Sequence, residues 1–260
     1  MNLNLQGRRA LVTGGSKGIG LAIAEELVAE GADVAICARN PAELEAAAEK
    51  LRASGRVIHA EVADVTDPQQ VIDFVERSAA ALGGIDILVN NAGAAHPGNF
   101  ESLADEDWQG DLDVKLFSQV RCTRAALPHL RRSAAPRVIN INSVYAKYPD
   151  PQFFATSVNR AACLNLSKAL AFEYGPEKIL VNSVNIGFVV TPQWKNIKAM
   201  RAPEATEEEF FATLVRGEVP LGRFGTAYEV SGLVAFLASD RASYLTGSSI
   251  DVAGGMGRYA

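Results

Sequence analysis

Arg9-Ala10-Leu11-Val12-Thr13-Gly14-Gly15-Ser16-Lys17-Gly18-Ile19-Gly20 is the stretch that decides the fold. Arg9 to Thr13 has the length and apolar content of a buried strand, the glycines make a turn, and Ile19 to Ala29 starts an amphipathic helix at once. Glycines let such a turn carry backbone N–H groups and a helix N-terminus up to a pyrophosphate, where the positive end of the helix dipole favours the anion. Gly14, Ser16, Lys17, Ile19 and Gly20 are therefore expected to bind a dinucleotide.

The same alternation continues outward from that stretch. Val34 to Ala38, Val57 to Val62, Ile85 to Asn90, Arg137 to Asn142 and Leu180 to Val184 read as further buried parallel strands, with helices at Ala42 to Ala53 and Gln69 to Leu82. Repeated β-α-β units without a long linker predict one α/β domain over residues 1–260, a Rossmann-type doubly wound parallel sheet. Residues 191–225 break the pattern, being irregular and rich in Pro and charge, with a short helical stretch at Thr206 to Val215. They follow a strand end, where open α/β sheets place ligands, and are expected to form a substrate lid.

Composition narrows the function. A formal net charge of −5 with both signs interspersed offers no basic stripe to nucleic acid and no polybasic membrane anchor. No apolar run approaches the roughly 20 residues of a spanning helix, and Met1-Asn2-Leu3-Asn4-Leu5 lacks the charged start of a leader, which points to a soluble, cytoplasmic protein. Cys37, Cys122 and Cys163 lie in apolar contexts and read as reduced thiols, and His59, His96 and His129 lack metal-ligand spacing, so no metal is expected.

Motifs beyond the glycine loop carry a family resemblance. Asp64-Val65, Asn90-Asn91-Ala92-Gly93, Ile141-Asn142-Ser143, Gly187-Phe188-Val189-Val190-Thr191, Pro220 to Gly225 and Asp251-Val252-Ala253-Gly254-Gly255 occur in this order, and with them nearly the whole chain resembles the short-chain dehydrogenase/reductase family. The resemblance implies that Asp64 and Val65 meet the adenine, that Asn91, Ala92 and Gly93 lie at the ribose and diphosphate, and that Gly187 and Val189 flank the nicotinamide. It also implies a homo-oligomer, a dimer or homotetramer, assembled through the long helices around Leu112 to Arg131 and Pro151 to Tyr174 and the last strand. On the second of these, Leu166, Leu170 and Phe172 fit a buried face, either between subunits or in the monomer core.

Charge chooses between the dinucleotides. After the second strand an acidic residue would bond the ribose 2′-hydroxyl of NAD, but the chain has Ala38-Arg39 there, with Lys17 in the glycine loop. Two cations suit a 2′-phosphate, which an Arg can fork, so NADP(H) is the expected cofactor.

At the reacting end the chain departs from the family. The family pairs a Ser with a Tyr thirteen residues on, a Lys four further, and an Asn upstream; in this chain those places hold Ser143, Thr156, Arg160 and Lys115. A phenol with pKa about 10, lowered by a cation, can protonate an alkoxide, whereas an aliphatic hydroxyl is far too weak an acid. Arg160 can still hold the nicotinamide ribose. Candidate replacement acids lie close by: Tyr145 and Tyr148 on the loop after Ser143, with Tyr148 the first choice, and Lys115, the last either with a depressed pKa or tied up in an ion pair with Asp111 or Asp113. His96 can overhang the pocket, Phe188 and Trp194 can shape an apolar one, and Ile186 stands where the family has proline before Gly187.

The expected function is NADP(H)-dependent reduction of a carbonyl, or oxidation of an alcohol, on a small to medium apolar substrate. Ser143 would polarise the carbonyl, Lys115 or Tyr148 would supply the proton, and the lid from Trp194 to Phe211 would exclude water. The alternatives are a catalytically silent NADP(H)-binding sensor or scaffold, and a lyase or isomerase without net redox chemistry.

Overall fold

The computed structural model describes residues 3–257. Met1 and Asn2, where the leader reading began, lie outside the described residues, as do the last three. Seven strands form one sheet: β1 (Arg9–Thr13), β2 (Asp33–Ala38), β3 (Ile58–Val62), β4 (Ile87–Asn90), β5 (Arg137–Ser143), β6 (Leu180–Ile186) and β7 (Ser249–Val252). Their spatial order is β3-β2-β1-β4-β5-β6-β7, every pairing parallel.

The helices are α1 (Gly18–Ala29), α2 (Pro41–Arg52), α3 (Pro68–Leu82), α4 (Asp105–Leu112), α5 (Ser118–Leu130), α6 (Phe154–Tyr174), α7 (Pro192–Arg201), α8 (Glu207–Val215) and α9 (Ala227–Ala238). Strand alternation assigns them to two faces. Ala10 and Val12 point into a core shared with Ile23 and Leu27 of α1, Leu44 and Leu51 of α2 and Val234 of α9. Leu11 points the other way, into a core with Phe74 of α3, Leu130 of α5 and Ala171 of α6. Both faces of the sheet are therefore covered, and strands buried on both sides read as the continuous apolar runs seen in the sequence.

Each of the six strands expected from sequence is present, with ends shifted by two residues or fewer. β7, at the sheet edge, was not among them: it is four residues long and only partly buried, so no apolar run marks it. The irregular reading of residues 191–225 is corrected in part. Besides α8, whose Thr206 and Glu209 form a capping box, the segment contains α7, started by Pro192 in its first turn. Of the α7 residues only Ile197 is buried, so the helix carries no apolar stripe to read.

On α6, Phe172 is 75% exposed, which removes it from the core of this chain, while Leu166 and Leu170 are half-buried. Cys37, Cys122 and Cys163 are free and buried. No helix among the described residues is long and apolar enough to cross a membrane.

The chain leaves β1 outward to β2 and β3, then returns to β4 on the other side and proceeds to β7. Its direction reverses between β1 and β4, so the loops after these strands splay apart at their carboxyl ends and open a crevice.

Candidate active site

The loop after β1 is tied to the loop after β4. Thr13 Oγ1 accepts from the backbone N–H groups of Asn91 and Ala92, both at 3.0 Å, while Asn91 Nδ2 donates to the carbonyls of Thr13 at 2.9 Å and Gly14 at 3.1 Å. This packing leaves no room for side chains. Gly14 has φ +67°, and a Cβ on Gly20 would stand 2.1 Å from the Gly14 carbonyl oxygen. The close approach aims the first turn of α1 into the crevice, where its unpaired N–H groups face any bound anion.

One cleft runs across this end of the sheet. Gly14, Ser16, Lys17, Ile19, Gly20, Arg39, Asp64, Val65, Asn91, Ala92 and Gly93 line one half, and Lys115, Ser143, Thr156, Arg160, Gly187 and Val189 the other. At the first half, Asp64 is held by its own turn, accepting from the Thr66 backbone at 2.9 Å and the Thr66 hydroxyl at 2.8 Å. Lys17 pairs with Glu43 of α2 at 2.7 Å, both partly exposed, whereas Arg39 is exposed and makes no ion pair among the described residues.

The second half is built where α6 crosses the ends of β5 and a break between α4 and α5. Residues Asp113–Phe117 make a π-helical turn there, and Lys115 lies within it. Its side chain is 1% exposed and its ammonium donates to Asp111 Oδ1, one turn earlier. Among the described residues Asp111 is the hydrogen-bond partner of this ammonium, and Lys115 is one of the residues that line the cleft.

Burial and the nearby Arg160 guanidinium bring the Lys115 pKa down to about 8, against the opposing pull of Asp111. Both expectations for Lys115 therefore meet in one side chain: it is ion-paired with Asp111 and it lines the pocket.

Arg160 is fixed by its Nη1, which donates to the Ile141 carbonyl at 2.8 Å, and Asn142 Nδ2 in turn donates to the Arg160 carbonyl at 3.1 Å. Its Nε is buried without a hydrogen-bond partner among the described residues, and its Nη2 lies so close to Gly93 that a Cβ there would approach to 3.0 Å. Thr156 donates from Oγ1 to Asp111 Oδ1 at 3.1 Å, and Asn159 Nδ2 donates to Asp111 Oδ2 at 2.8 Å. The hydroxyl at the place of the family phenol thus serves a carboxylate. Ser143, at the end of β5, accepts from the Tyr145 backbone N–H at 3.2 Å and keeps its own proton for a ligand.

Tyr148 is the expectation the geometry does not support. It is not among the cleft-lining residues, and its hydroxyl donates to Glu218 at 3.1 Å, because the short 3-10 turn Val144–Ala146 carries the chain past the pocket before Tyr148 is reached. Tyr145 lines the cleft in its stead, stacked on Phe153 with ring centroids 5.5 Å apart. Burial and the neighbouring Asp150 raise the Tyr145 pKa, and its hydroxyl makes no hydrogen bond of good geometry, so it is a wall and a poor acid. His96 faces outward, paired with Asp107 at 3.2 Å. Tyr148→Phe should leave turnover within about threefold, well short of the loss a general acid would show; steady-state rates of NADPH oxidation on a carbonyl panel check it.

Sequence reading missed Asn159 and gave Asp111 only as a counter-ion. The signal for Asp111 was its i, i+4 spacing from Lys115; nothing local marked Asn159.

The profile described as enoyl-(acyl carrier protein) reductase matches residues 14–257. The 3-oxoacyl-(acyl-carrier-protein) reductase FabG of Escherichia coli strain K12 is 35% identical over 254 residues, covering 98% of this chain and 99% of its own. The chain belongs to the short-chain dehydrogenase/reductase family. Among solved members of the family, a short chain oxidoreductase from Pseudomonas aeruginosa PAO1, described as containing an atypical catalytic center, is 42% identical in its apo form with a TM-score of 0.93, covering 98% of this chain and 99% of that one. The NADPH-bound form of that oxidoreductase matches at 41% identity and a TM-score of 0.91, over 98% of this chain and 99% of that one. L-sorbose reductase from Gluconobacter frateurii, complexed with NADPH and L-sorbose, is 33% identical with a TM-score of 0.96 over 100% of both chains. These members of the family share the fold of this chain.

Proposed function

We propose that the protein is an NADP(H)-dependent short-chain oxidoreductase that reduces a carbonyl, or oxidises the corresponding alcohol, with Lys115 as its proton donor and acceptor. The observation that carries this is the Lys115 ammonium, buried, lining the cleft beside Ser143 and Arg160, and brought to a pKa of about 8. A group that titrates there can hand over a proton near neutral pH, whereas Thr156 cannot.

The residues present fit NADP(H). Glycines at 14 and 20 permit the close approach of the loops after β1 and β4 that shapes the pyrophosphate cradle, and Arg39, which makes no ion pair among the described residues, offers a cation to a 2′-phosphate, with the exposed Lys17–Glu43 pair beside it. Asp64 and Val65 would flank the adenine, Asn91 to Gly93 the ribose and diphosphate, and Arg160, Gly187 and Val189 the nicotinamide end. NADPH-bound relatives support the same choice. When bound, the nicotinamide supplies the hydride.

The chain's own groups do the rest. Ser143 donates a hydrogen bond to the substrate oxygen and polarises it. Lys115 then gives that oxygen a proton as the carbonyl carbon becomes saturated, and the neutral amine left behind is reprotonated from water. Arg160 holds the ribose side and, by repulsion, keeps the Lys115 proton labile.

Phe188 and Trp194 line the substrate end and are backed by further aromatics: Phe188 stacks on Phe224 with centroids 5.1 Å apart, Trp194 sits edge-on to both, and Phe211 stacks on Phe224 at 4.3 Å. Residues 191–225 supply most of these rings and serve as the lid, which suits a small to medium apolar substrate. A second copy covering α6, where Phe172 and Val158 are exposed, would give the expected dimer or tetramer.

The test is a fluorescence titration with NADPH and NADH, followed by a panel of apolar aldehydes and ketones monitored by reduced-nicotinamide absorbance. Tight NADPH binding with turnover is expected. Tight binding without turnover would favour the sensor or non-redox alternatives, and no binding would defeat the cofactor assignment as well.

A further inference from the structure

Asp111 is a fully buried carboxylate behind the cleft-lining Lys115 and Thr156, and the scheme above leaves its purpose open. Both of its oxygens are engaged: Oδ1 accepts from the Lys115 ammonium and from Thr156 Oγ1 at 3.1 Å, and Oδ2 accepts from Asn159 Nδ2 at 2.8 Å. The Asp111 and Lys115 side chains are 0% and 1% exposed, so their attraction is little screened by bulk solvent.

We propose that Asp111 is the positioning residue of the proton donor: its carboxylate holds the Lys115 ammonium at the cleft, and Thr156 and Asn159 of α6 hold the carboxylate. The proposal rests on the reading of Lys115 as the donor. It also gives two departures from the family pattern a single cause. Lysine at 115 brings a buried cation that needs a fixed counter-ion, and threonine at 156 is short enough to turn its hydroxyl onto that counter-ion.

The groups that face Lys115 come from two elements. From its own helical run there is Asp111, while Asp113 is drawn aside to Arg121 at 2.9 Å. From α6 there are Arg160, the Cys163 thiol and the Thr156 hydroxyl, which meets Lys115 only through Asp111. Arg160 repels the ammonium and burial disfavours it; Asp111 is the main attraction that keeps it charged and in place. Without that carboxylate the two unfavourable effects stand almost unopposed, and the amine would lose its proton at lower pH.

The experiment is a 13C NMR titration of ε-labelled lysine in the full-length protein, with the Lys115 signal assigned by its loss in Lys115→Met. Asp111→Asn should move the Lys115 midpoint down by about one pH unit or more. Turnover of NADPH with the fastest ketone of the panel should fall about tenfold at pH 8 and recover as the pH is lowered, a rescue that a merely structural defect does not give. Asp111→Glu, which keeps the charge, should return the midpoint to within about half a unit of the wild type.

A midpoint unmoved in Asp111→Asn, or a turnover loss equal at every pH, overturns the proposal. Should Asp111→Asn fail to fold, the carboxyl 13C signal of Asp111 in the unmutated protein decides: it should inflect at the Lys115 midpoint, and a flat signal there overturns the proposal equally. The donor reading fails separately, if Lys115→Met keeps its turnover while Asp111→Asn still shifts the midpoint.

Discussion

Lys115→Met lowers carbonyl reduction by about 10²- to 10⁴-fold, the range that a general acid contributes, with NADPH affinity changed by no more than a few-fold. Methionine keeps the length and much of the volume of lysine, so the cleft wall persists while the proton is removed. The substitution also leaves Asp111 as a buried carboxylate with its cation gone, and breaking a buried pair in this way costs about 3–5 kcal/mol. Asp111→Asn combined with Lys115→Met relieves that mismatch and should restore thermal stability without restoring turnover, which separates the lost proton from lost folding.

With Lys115 as the proposed donor, the unmodified enzyme is expected to show a pH dependence. Reduction requires the ammonium, whose pKa is held down to about 8, so the reductive rate is full below that pH and falls as pH rises through it. Alcohol oxidation requires the neutral amine and shows the opposite slope. Rates measured by nicotinamide absorbance from pH 6 to 10 check both limbs; a Lys115→Met enzyme with turnover within a few-fold of the wild type would remove Lys115 from the mechanism.

Arg39→Asp reverses the preference between the dinucleotides. A charge-assisted hydrogen bond contributes about 1.5–3 kcal/mol, so losing a forked Arg contact and placing a carboxylate against the 2′-phosphate should weaken NADPH by about 10²-fold or more. NADH should bind more tightly, because the new carboxylate can accept from the 2′-hydroxyl. Lys17 does not compensate, since Glu43 already holds it at 2.7 Å. Paired fluorescence titrations with NADPH and NADH give the result directly, and unchanged affinities for both would displace Arg39 from the 2′-phosphate.

Much of the fold was legible because it rests on local patterns. Strands buried on both faces, such as Ala10 to Val12 between two cores, must be apolar throughout, and that continuity is visible in any window of the chain. The glycine loop was legible for the same reason: Gly14 and Gly20 are dictated by a close backbone approach that admits no Cβ. α7 and β7 were not, the first because one buried residue leaves no periodicity, the second because an edge strand of four residues is half solvated.

At the active site the residue types were legible and the partnerships were not. Lys115, at the place of the family Asn, and Tyr148, five residues after Ser143, both stood as candidates in sequence. The 3-10 turn after Ser143 takes Tyr148 to Glu218, while the π-helical turn holds Lys115 in the cleft wall. Neither displacement leaves a mark on composition or spacing.

The amino-acid sequence by itself determined the doubly wound sheet, the site of the nucleotide cradle and the cations beside it, since periodicity, turn chemistry and charge act between near neighbours. Only the tertiary structure decided which of Lys115 and Tyr148 lines the cleft. That choice depends on Asp111 meeting Thr156 across 45 positions and Asn159 across 48, contacts that exist only once α4 packs against α6 and that water would dissolve in an unfolded chain.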